Sequence, residues 1–154
     1  MGKNIKIIGA GIFGCVIGYE LSRVGHSVTI IEQDSDIMQR ASKCNHNRLH
    51  LGYHYPRSVE TAKQSLEGLV TFLINYKDAI VTNFPNYYMV AKENSHINSK
   101  QYIDFCTQVN INYDIEYPSS NIINKDYIQT SLKTDEPIFD YDVLKLLVKN
   151  LIKN

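Results

Sequence analysis

The stretch Gly9-Ala10-Gly11-Ile12-Phe13-Gly14 decides the fold of this chain, together with the segments on either side of it. The preceding Ile5-Lys6-Ile7-Ile8 predicts a short strand, and the following Cys15 to Arg23 predicts a helix. A second β-branched run, Ser27-Val28-Thr29-Ile30-Ile31, then brings Glu32 to its carboxyl end. Glycines in this spacing between a strand and a helix, with an acid after the next strand, form the dinucleotide-binding fingerprint of a βαβ unit.

Each residue of the fingerprint has a physical task. Gly9 permits the tight turn, Gly11 leaves room for a pyrophosphate beside the backbone, and Gly14 lets the helix pack close to the strand. The free N–H groups at the start of the helix attract the phosphate charge. Ile12 and Phe13, between the second and third glycines, are predicted as further cofactor contacts. The alternative is a glycine-rich turn without a ligand, and the agreement of glycines, strands, helix and acid argues against it.

Glu32 indicates which dinucleotide is bound. It lies 18 residues beyond Gly14, at the end of the second predicted strand, and Gln33 follows it as a further contact residue. A carboxylate there accepts hydrogen bonds from the adenosine ribose and repels a 2′-phosphate. The sequence therefore favours FAD or NAD over NADP.

Composition narrows the class of protein. The 154 residues suffice for one domain, and the apolar share of 44% is ordinary for a packed protein. A formal net charge of zero gives no electrostatic reason to expect nucleic acid or an anionic membrane surface as a partner. No apolar run reaches the roughly 20 residues of a membrane span. Three widely spaced cysteines (Cys15, Cys44 and Cys106) fit neither a disulfide framework nor a zinc site, and suggest a reducing compartment, the cytoplasm.

The whole chain, residues 1–154, is predicted to form a single domain of four parts. Residues 1–33 form the βαβ unit, residues 34–58 a long polar loop of the kind that binds ligands, 59–139 an inserted region, and 140–154 a last helix.

Within these parts we predict helices and strands from periodicity and turn residues. An amphipathic helix is predicted over 59–76 with Ser58 as its N-cap, and a second helix runs to Val109 with Ser99 as its N-cap. A last helix has Asp140 as its N-cap, and its apolar face is formed by Val143, Leu146, Leu147 and Leu151. The strand candidates, following a turn over Asn83 to Asn86, are Tyr87 to Ala91, Tyr113 to Tyr117, the region of Ile122-Ile123, and Tyr127 to Leu132.

The predicted fold class is α/β: a Rossmann-type βαβ unit with parallel strands, plus an inserted, partly antiparallel α+β segment. A dinucleotide-binding half normally continues to a third parallel strand, and none follows the last helix. We therefore expect a fold truncated at its C-terminus.

Residues 40 to 57 carry a second motif, RASKCNHNRLHLGYHYPR, which includes His50-Leu51-Gly52-Tyr53-His54-Tyr55. Together with the fingerprint, this stretch resembles the FAD-dependent oxidoreductases of the D-amino-acid oxidase type. The resemblance implies that the loop runs beside the flavin's ribityl and pyrophosphate groups. It places the following residues near the cofactor: Arg40, Ser42, Asn45, Asn47 and His50.

Other side-chain groups leave alternatives open. His46, His50 and His54 recur every four residues, but Gly52 and Pro56 interrupt a helix, and we predict no metal site. The histidines either hydrogen-bond locally or face solvent, or, in the case of His50, contact flavin. Arg48 and Arg57 either hold a substrate carboxylate or are structural. The acids are expected to be solvated: Asp34, Asp36, Asp135 and Glu136.

The leading hypothesis is the N-terminal part of an FAD-dependent oxidoreductase that oxidises a C–N or C–OH bond of a small amino or hydroxy acid by hydride transfer to flavin. An NAD-dependent dehydrogenase domain and a non-catalytic nucleotide-binding remnant are the alternatives. No catalytic residue is identified. The expected partners are a small-molecule substrate and, at the uncovered apolar surface, either a second copy of the chain or a missing C-terminal half.

Overall fold

The computed structural model describes residues 2–82 and 84–153, and the chain divides into two units. The first unit combines the residues up to Asn47 with those from Asp140 onward, and the second unit spans Arg48 to Phe139. The boundary between Asn47 and Arg48 falls inside the predicted polar loop, so residues from both units contribute to that loop.

The elements follow the chain in a simple order. The helices are α1 (Ile12–Arg23), α2 (Val59–Tyr76), α3 (Ser99–Val109) and α4 (Tyr141–Lys153). The strands are β1 (Asn4–Ile8), β2 (Ser27–Ile31), β3 (Ile80–Val81), β4 (Asn86–Ala91), β5 (Asp114–Ile115), β6 (Ile128–Thr134) and β7 (Ile138–Phe139). Two short 3-10 helices, Lys77–Ala79 and Lys125–Tyr127, precede β3 and β6.

The first unit contains the predicted βαβ arrangement. Strands β1 and β2 pair in parallel, from Asn4 opposite Ser27 to Ile8 opposite Ile31. Gly9 turns the chain with a φ of +99°, a conformation that favours glycine. A Cβ on Gly14 would lie 2.1 Å from the Gly9 carbonyl oxygen, which explains why the helix needs glycine there. This part of the prediction is confirmed, with α1 starting at Ile12 and not at Cys15.

Helix α4 begins as predicted but buries a different face. The Asp140 carboxylate accepts hydrogen bonds from the backbone N–H groups of Asp142 (2.9 Å) and Val143 (3.1 Å), which confirms the cap. Leu144 and Val148, one turn apart, are the buried residues, whereas Leu146 is 58% exposed. The predicted apolar face is therefore wrong at Leu146, because contact with α1 selects the face centred on Leu144.

The second unit is built on an antiparallel sheet with the strand order β4-β6-β5. One face of the sheet carries Tyr88 opposite Leu132, and α2 and α3 belong to the same unit. The core residues come from the sheet, from both helices and from neighbouring loops: Tyr53, Ala62, Val90, Tyr102, Phe105, Cys106, Val109, Ile111 and Leu132. The prediction of an antiparallel segment is confirmed.

Local predictions in the second unit have mixed outcomes. Helix α2 and its Ser58 cap are confirmed, and Ser58 Oγ accepts from the Thr61 N–H. The cap of α3 is Asn98 and not Ser99. Ile122-Ile123 lies in and after a turn instead of a strand. The predicted turn before β4 begins at Asn83, which lies outside the described residues.

The polar loop over residues 34–58 contains no helix and no paired strand apart from one isolated bridge between Arg48 and Ile138. It is therefore the long connection that the sequence predicts. None of the helices in residues 2–82 and 84–153 is long and apolar enough to cross a membrane.

Candidate functional site

A cavity of about 490 Å³ opens in the first unit where β1 and β2 end. Eight of the predicted cofactor residues line it: Gly9, Gly11, Ile12, Phe13, Glu32, Gln33, Arg40 and Ser42. The remaining lining residues, which the sequence did not predict as cofactor contacts, are Ile8, Ile31, Asp34, Gln39 and Ala41. Ile8 and Ile31 are the last residues of β1 and β2, so their position at the strand ends is the signal that could have identified them.

The start of helix α1 forms one wall of this cavity. The first N–H groups of a helix have no acceptor within the helix. Ser42 Oγ accepts the Ile12 N–H at 3.0 Å, which joins the polar loop to the helix end. A Cβ built on Gly11 would meet only Ser42 Oγ, at 3.4 Å, so the space in front of Gly11 is open. Unobstructed backbone at the N-terminus of a helix, where the helix dipole is positive, is an environment that favours a negatively charged diphosphate.

Glu32 supplies a carboxylate acceptor that also lines the cavity. One carboxylate oxygen accepts the Ala10 N–H at 2.6 Å, and the other accepts the N–H groups of Gln33 (2.7 Å) and Asp34 (3.0 Å). The hydrogen bonds from Asp34 and Ala10 hold the pKa of Glu32 below its ordinary value. Because a carboxylate has about four acceptor positions, Glu32 can accept one more hydrogen bond.

An ion pair forms the rim of the cavity. Arg40 donates two hydrogen bonds to Asp34, Nε to Oδ2 at 2.8 Å and a terminal nitrogen to Oδ1 at 3.1 Å. The hydrogen bond from Arg40 lowers the pKa of Asp34, and the Gln33 amide lies against the same guanidinium. The expectation that Asp34 is a solvated acid is wrong, because its side chain is paired and only 29% exposed.

The other three acids that were expected to be solvated lie in different environments. Asp36 pairs with Lys145 and Lys149 on α4, so it too is not simply solvated. Asp135 is exposed as predicted. Glu136 differs most from the prediction, since its side chain has no exposed surface.

Three of the predicted loop contacts lie outside the cavity lining. Asn45 donates to the backbone carbonyls of Ala41 and Ser42 (both 3.1 Å) and accepts the Asn47 N–H at 2.6 Å, so it closes a local turn. Asn47 has a positive φ of 54°, and its buried amide oxygen has no hydrogen-bond partner in the described residues. His50 belongs to the second unit.

His50 lies beside the buried Glu136 carboxylate in the second unit. Glu136 accepts the Leu51 N–H at 2.9 Å and the Tyr88 hydroxyl at 2.5 Å. His50 Nδ1 lies 3.8 Å from Glu136, and the nearest Arg48 nitrogen lies 4.0 Å away. Burial raises the pKa of Glu136, but interactions with His50 and Tyr88 outweigh it and leave the pKa lowered. The group is therefore a buried anion.

This cluster decides the open alternative for Arg48. The Arg48 guanidinium lies 4.9 Å from the centre of the Tyr88 ring and pairs with Glu136, so Arg48 has a structural role. Arg57 is exposed and lines a separate cavity of about 260 Å³. The rings of His50 and His54 stack at 5.2 Å. In the part of the chain that the structure describes, no three histidine, cysteine or acidic side chains are grouped to hold a metal ion.

Comparison with known proteins identifies the class. The family model for FAD dependent oxidoreductases (DAO) matches residues 4–106, more than half of the chain. The chain therefore belongs to this family, as the resemblance in the sequence suggested, and the cofactor of the family is FAD. This assignment favours FAD over the NAD alternative.

Individual relatives agree with the family match. The chain is 41% identical over 78 residues to the FAD-dependent monooxygenase kojA of Aspergillus flavus, which covers 51% of this chain and 18% of that protein. It is 31% identical over 74 residues to a glycerol 3-phosphate oxidase of Mycoplasma pneumoniae, covering 48% of this chain and 19% of that protein.

A solved structure shows the same fold. Glycine oxidase from Geobacillus kaustophilus superposes with a TM-score of 0.77 at 12% identity, covering 99% of this chain and 45% of that one. The chain thus spans under half the length of this structure and about a fifth of the two curated relatives.

Proposed function

We propose that the first-unit cavity binds the adenosine diphosphate part of FAD. The observation that carries this proposal is the placement of open backbone at Gly11 and of the Glu32 carboxylate in one cavity. In the bound state, the start of α1 would hold the diphosphate and Glu32 would accept a ribose hydroxyl. Ser42 and the Arg40–Asp34 pair would line the rim. Asn45, Asn47 and His50 remain proposed contacts to other parts of the cofactor.

We further propose that the chain is the FAD-binding part of an oxidoreductase acting on a C–N or C–OH bond of a small amino or hydroxy acid. FAD, when bound, supplies the group that accepts a hydride. The chain's own residues bind and orient the cofactor. The relative named glycerol 3-phosphate oxidase supports a C–OH substrate.

A monooxygenase activity is the second candidate, because the relative with 41% identity carries that name. The two reactions differ in the fate of oxygen. Incorporation of labelled oxygen from O₂ into the product would support the monooxygenase, whereas a product that only loses two hydrogens would support simple oxidation. That comparison needs the whole protein and its substrate.

The three cysteines support a reducing compartment, and we propose the cytoplasm. Cys15 and Cys106 are buried and unpaired, and Cys44 is exposed and unpaired. An exposed free thiol persists most readily where disulfide formation is disfavoured. Localisation of the tagged protein by microscopy tests this point, and a secreted product would contradict it.

Gly11→Val tests the proposed cofactor site. We expect the variant to fold but to lose FAD, because a branched side chain fills the space that the diphosphate needs. Overpacking alone costs about 1–3 kcal/mol, so the loss of binding should exceed the loss of stability. The flavin absorbance of the purified protein and titration with FAD and with NAD are the measurements.

Gly68→Val is the matched control, since a Cβ at Gly68 on α2 meets no atom within 4 Å. It should retain FAD. A folded Gly11→Val protein that binds FAD like the wild type would exclude this cavity as the site. A wild-type chain that binds neither FAD nor ADP would favour the non-catalytic alternative.

A further inference from the structure

The cavity depends on a loop that has no regular structure of its own. Residues 39–42 close one side of it, yet they lie in the irregular part of the polar loop. Fixing an irregular residue costs backbone conformational entropy, so contacts elsewhere must hold such a loop. Some of these contacts come from the fingerprint turn and the start of α1, and others come from helix α4.

Asp36 is the first of these contacts. Its Oδ2 atom lies 2.8 Å from Lys145 Nζ and 2.7 Å from Lys149 Nζ, two side chains one turn apart on α4. Its other oxygen accepts the Ile37 N–H at 2.8 Å. The Lys145 side chain is only 16% exposed, so this is not an open surface pair. The hydrogen bonds from the two lysines hold the pKa of Asp36 far below its ordinary value.

Met38 is the second contact, and it connects α4 with the fingerprint turn. Its N–H donates to the Ala10 carbonyl at 2.9 Å, and its carbonyl accepts the Tyr141 hydroxyl at 2.9 Å. Met38 is 1% exposed and has a φ of +60°, which is strained for a side chain other than glycine. Such a conformation persists only when neighbouring contacts fix it.

No described residue of α4 lines the cavity itself. Two routes therefore connect α4 with a ligand there: its contact with α1, and its contacts with the loop. We propose that Asp36 and Tyr141 are positioning residues for the nucleotide site: through them α4 holds the loop over residues 36–42 in the shape that closes the cavity. This inference rests on the proposed binding of an adenosine nucleotide.

The test compares Asp36→Asn and Tyr141→Phe with the wild type, using ADP as the probe. Asp36→Asn removes the charge that pairs with Lys145 and Lys149, and Tyr141→Phe removes one hydrogen bond. Both variants leave every lining residue intact. We expect each to bind ADP at least about fivefold more weakly in calorimetric titrations at a temperature where all proteins are fully folded. Asp36→Glu, which keeps the charge, should bind more tightly than Asp36→Asn. A role in stability alone would change the melting temperature and leave the affinity of the folded protein unchanged.

Glu20→Gln and Tyr127→Phe are the matched controls. Glu20 pairs with Arg23 on the surface of α1, and Tyr127 is 70% exposed. Both controls should bind ADP like the wild type. Hydrogen exchange at the Met38 amide is the second readout, and it should be faster in both test variants than in the controls.

The outcomes separate the two proposals. Equal ADP affinity and equal Met38 exchange in the wild type and both variants would overturn the positioning role. A wild type that fails to bind ADP would remove the proposed function, while Met38 exchange would still decide whether α4 holds the loop. If Asp36→Asn does not fold, the ADP affinity and the Met38 exchange of Tyr141→Phe decide whether the positioning role holds, because this variant removes only a hydroxyl group.

Discussion

The Glu32 carboxylate has an observed role in the turn of the first unit and a proposed role in ribose binding. Its place in the sequence, at the end of β2, predicted an acceptor facing the ligand. The sequence could not show that three backbone N–H groups already use it, because those contacts depend on the exact turn conformation. The carboxylate therefore shapes the turn, and its remaining acceptor position is the one that the proposed ribose contact would use.

Glu32→Gln should weaken ADP binding about tenfold, since a hydrogen bond to a charged group contributes roughly 1.5–3 kcal/mol. The amide nitrogen of Gln cannot accept the Ala10 N–H, so part of the loss comes from the turn. Titration with ADP and with its 2′-phosphorylated analogue is the measurement. We expect the ratio of the affinity for ADP to the affinity for its 2′-phosphorylated analogue to be smaller in the variant than in the wild type. Equal ADP affinity in both proteins would rule out ribose contact by Glu32.

Glu136 shows where single-residue prediction fails. Its sequence context, an acid beside Asp135 and Pro137, suggests exposure. Its partners lie far away in the chain, with 85 residues separating it from Leu51. Only the antiparallel pairing of β4 with β6 and the return of the polar loop bring these groups together.

Glu136→Gln should destabilise the protein by about 1.5–3 kcal/mol near neutral pH, because its hydrogen bonds lose their charge assistance. The folded-state pKa of Glu136 is lowered, so its stabilisation is complete above the ordinary value of 4.5 and is lost as the pH falls through the folded pKa. The difference between wild type and variant should therefore shrink on acidification. Urea denaturation between neutral and acidic pH measures it.

Glu93→Gln is the control for this experiment, because Glu93 is exposed. It should change stability by less than about 0.5 kcal/mol at every pH. A Glu136→Gln effect that stays constant down to acidic pH would contradict an ionised Glu136.

At the scale of elements, periodicity predicted most of the helices and fewer of the strands. Helix α2 begins and ends where the spacing of its apolar residues indicates, because amphipathicity is local information. Strand pairing is not local, and Ile122-Ile123 has β-branched residues but no partner strand. The polar loop was recognised from its composition, whereas its attachment to α4 through Asp36 needed the structure.

The corrected N-cap of α3, Asn98 in place of Ser99, can be tested by mutation. Asn98 Oδ1 accepts the Gln101 N–H and the Gln101 side chain accepts the Asn98 N–H, both at 2.9 Å, which forms a capping box. Asn98→Ala should cost about 1 kcal/mol of stability, and Ser99→Ala should cost much less. Thermal unfolding of the two variants is the measurement. A larger loss of stability in Ser99→Ala than in Asn98→Ala would identify Ser99 as the cap.

At the scale of the whole molecule, large apolar side chains remain exposed in the first unit. Ile8 is 88% exposed and Phe13 81%, and both line the proposed cofactor cavity. Ile17 on α1 is 51% exposed and lies outside that lining. Strand β1 pairs only with β2 among the described residues, so its other edge is open to a further strand. Exposed apolar groups beside an open sheet edge favour association.

We therefore expect the 154-residue chain to self-associate as its concentration rises, and FAD to reduce this association by covering Ile8 and Phe13. Ile17→Lys should shift the equilibrium towards monomer, because it places a charge in the apolar surface without touching the cavity. Ser22→Lys adds the same charge at an exposed polar position of α1 and serves as the control. Sedimentation velocity at several concentrations, with and without FAD, measures the effect. A monodisperse monomer throughout would show that the uncovered apolar surface is too small to drive association.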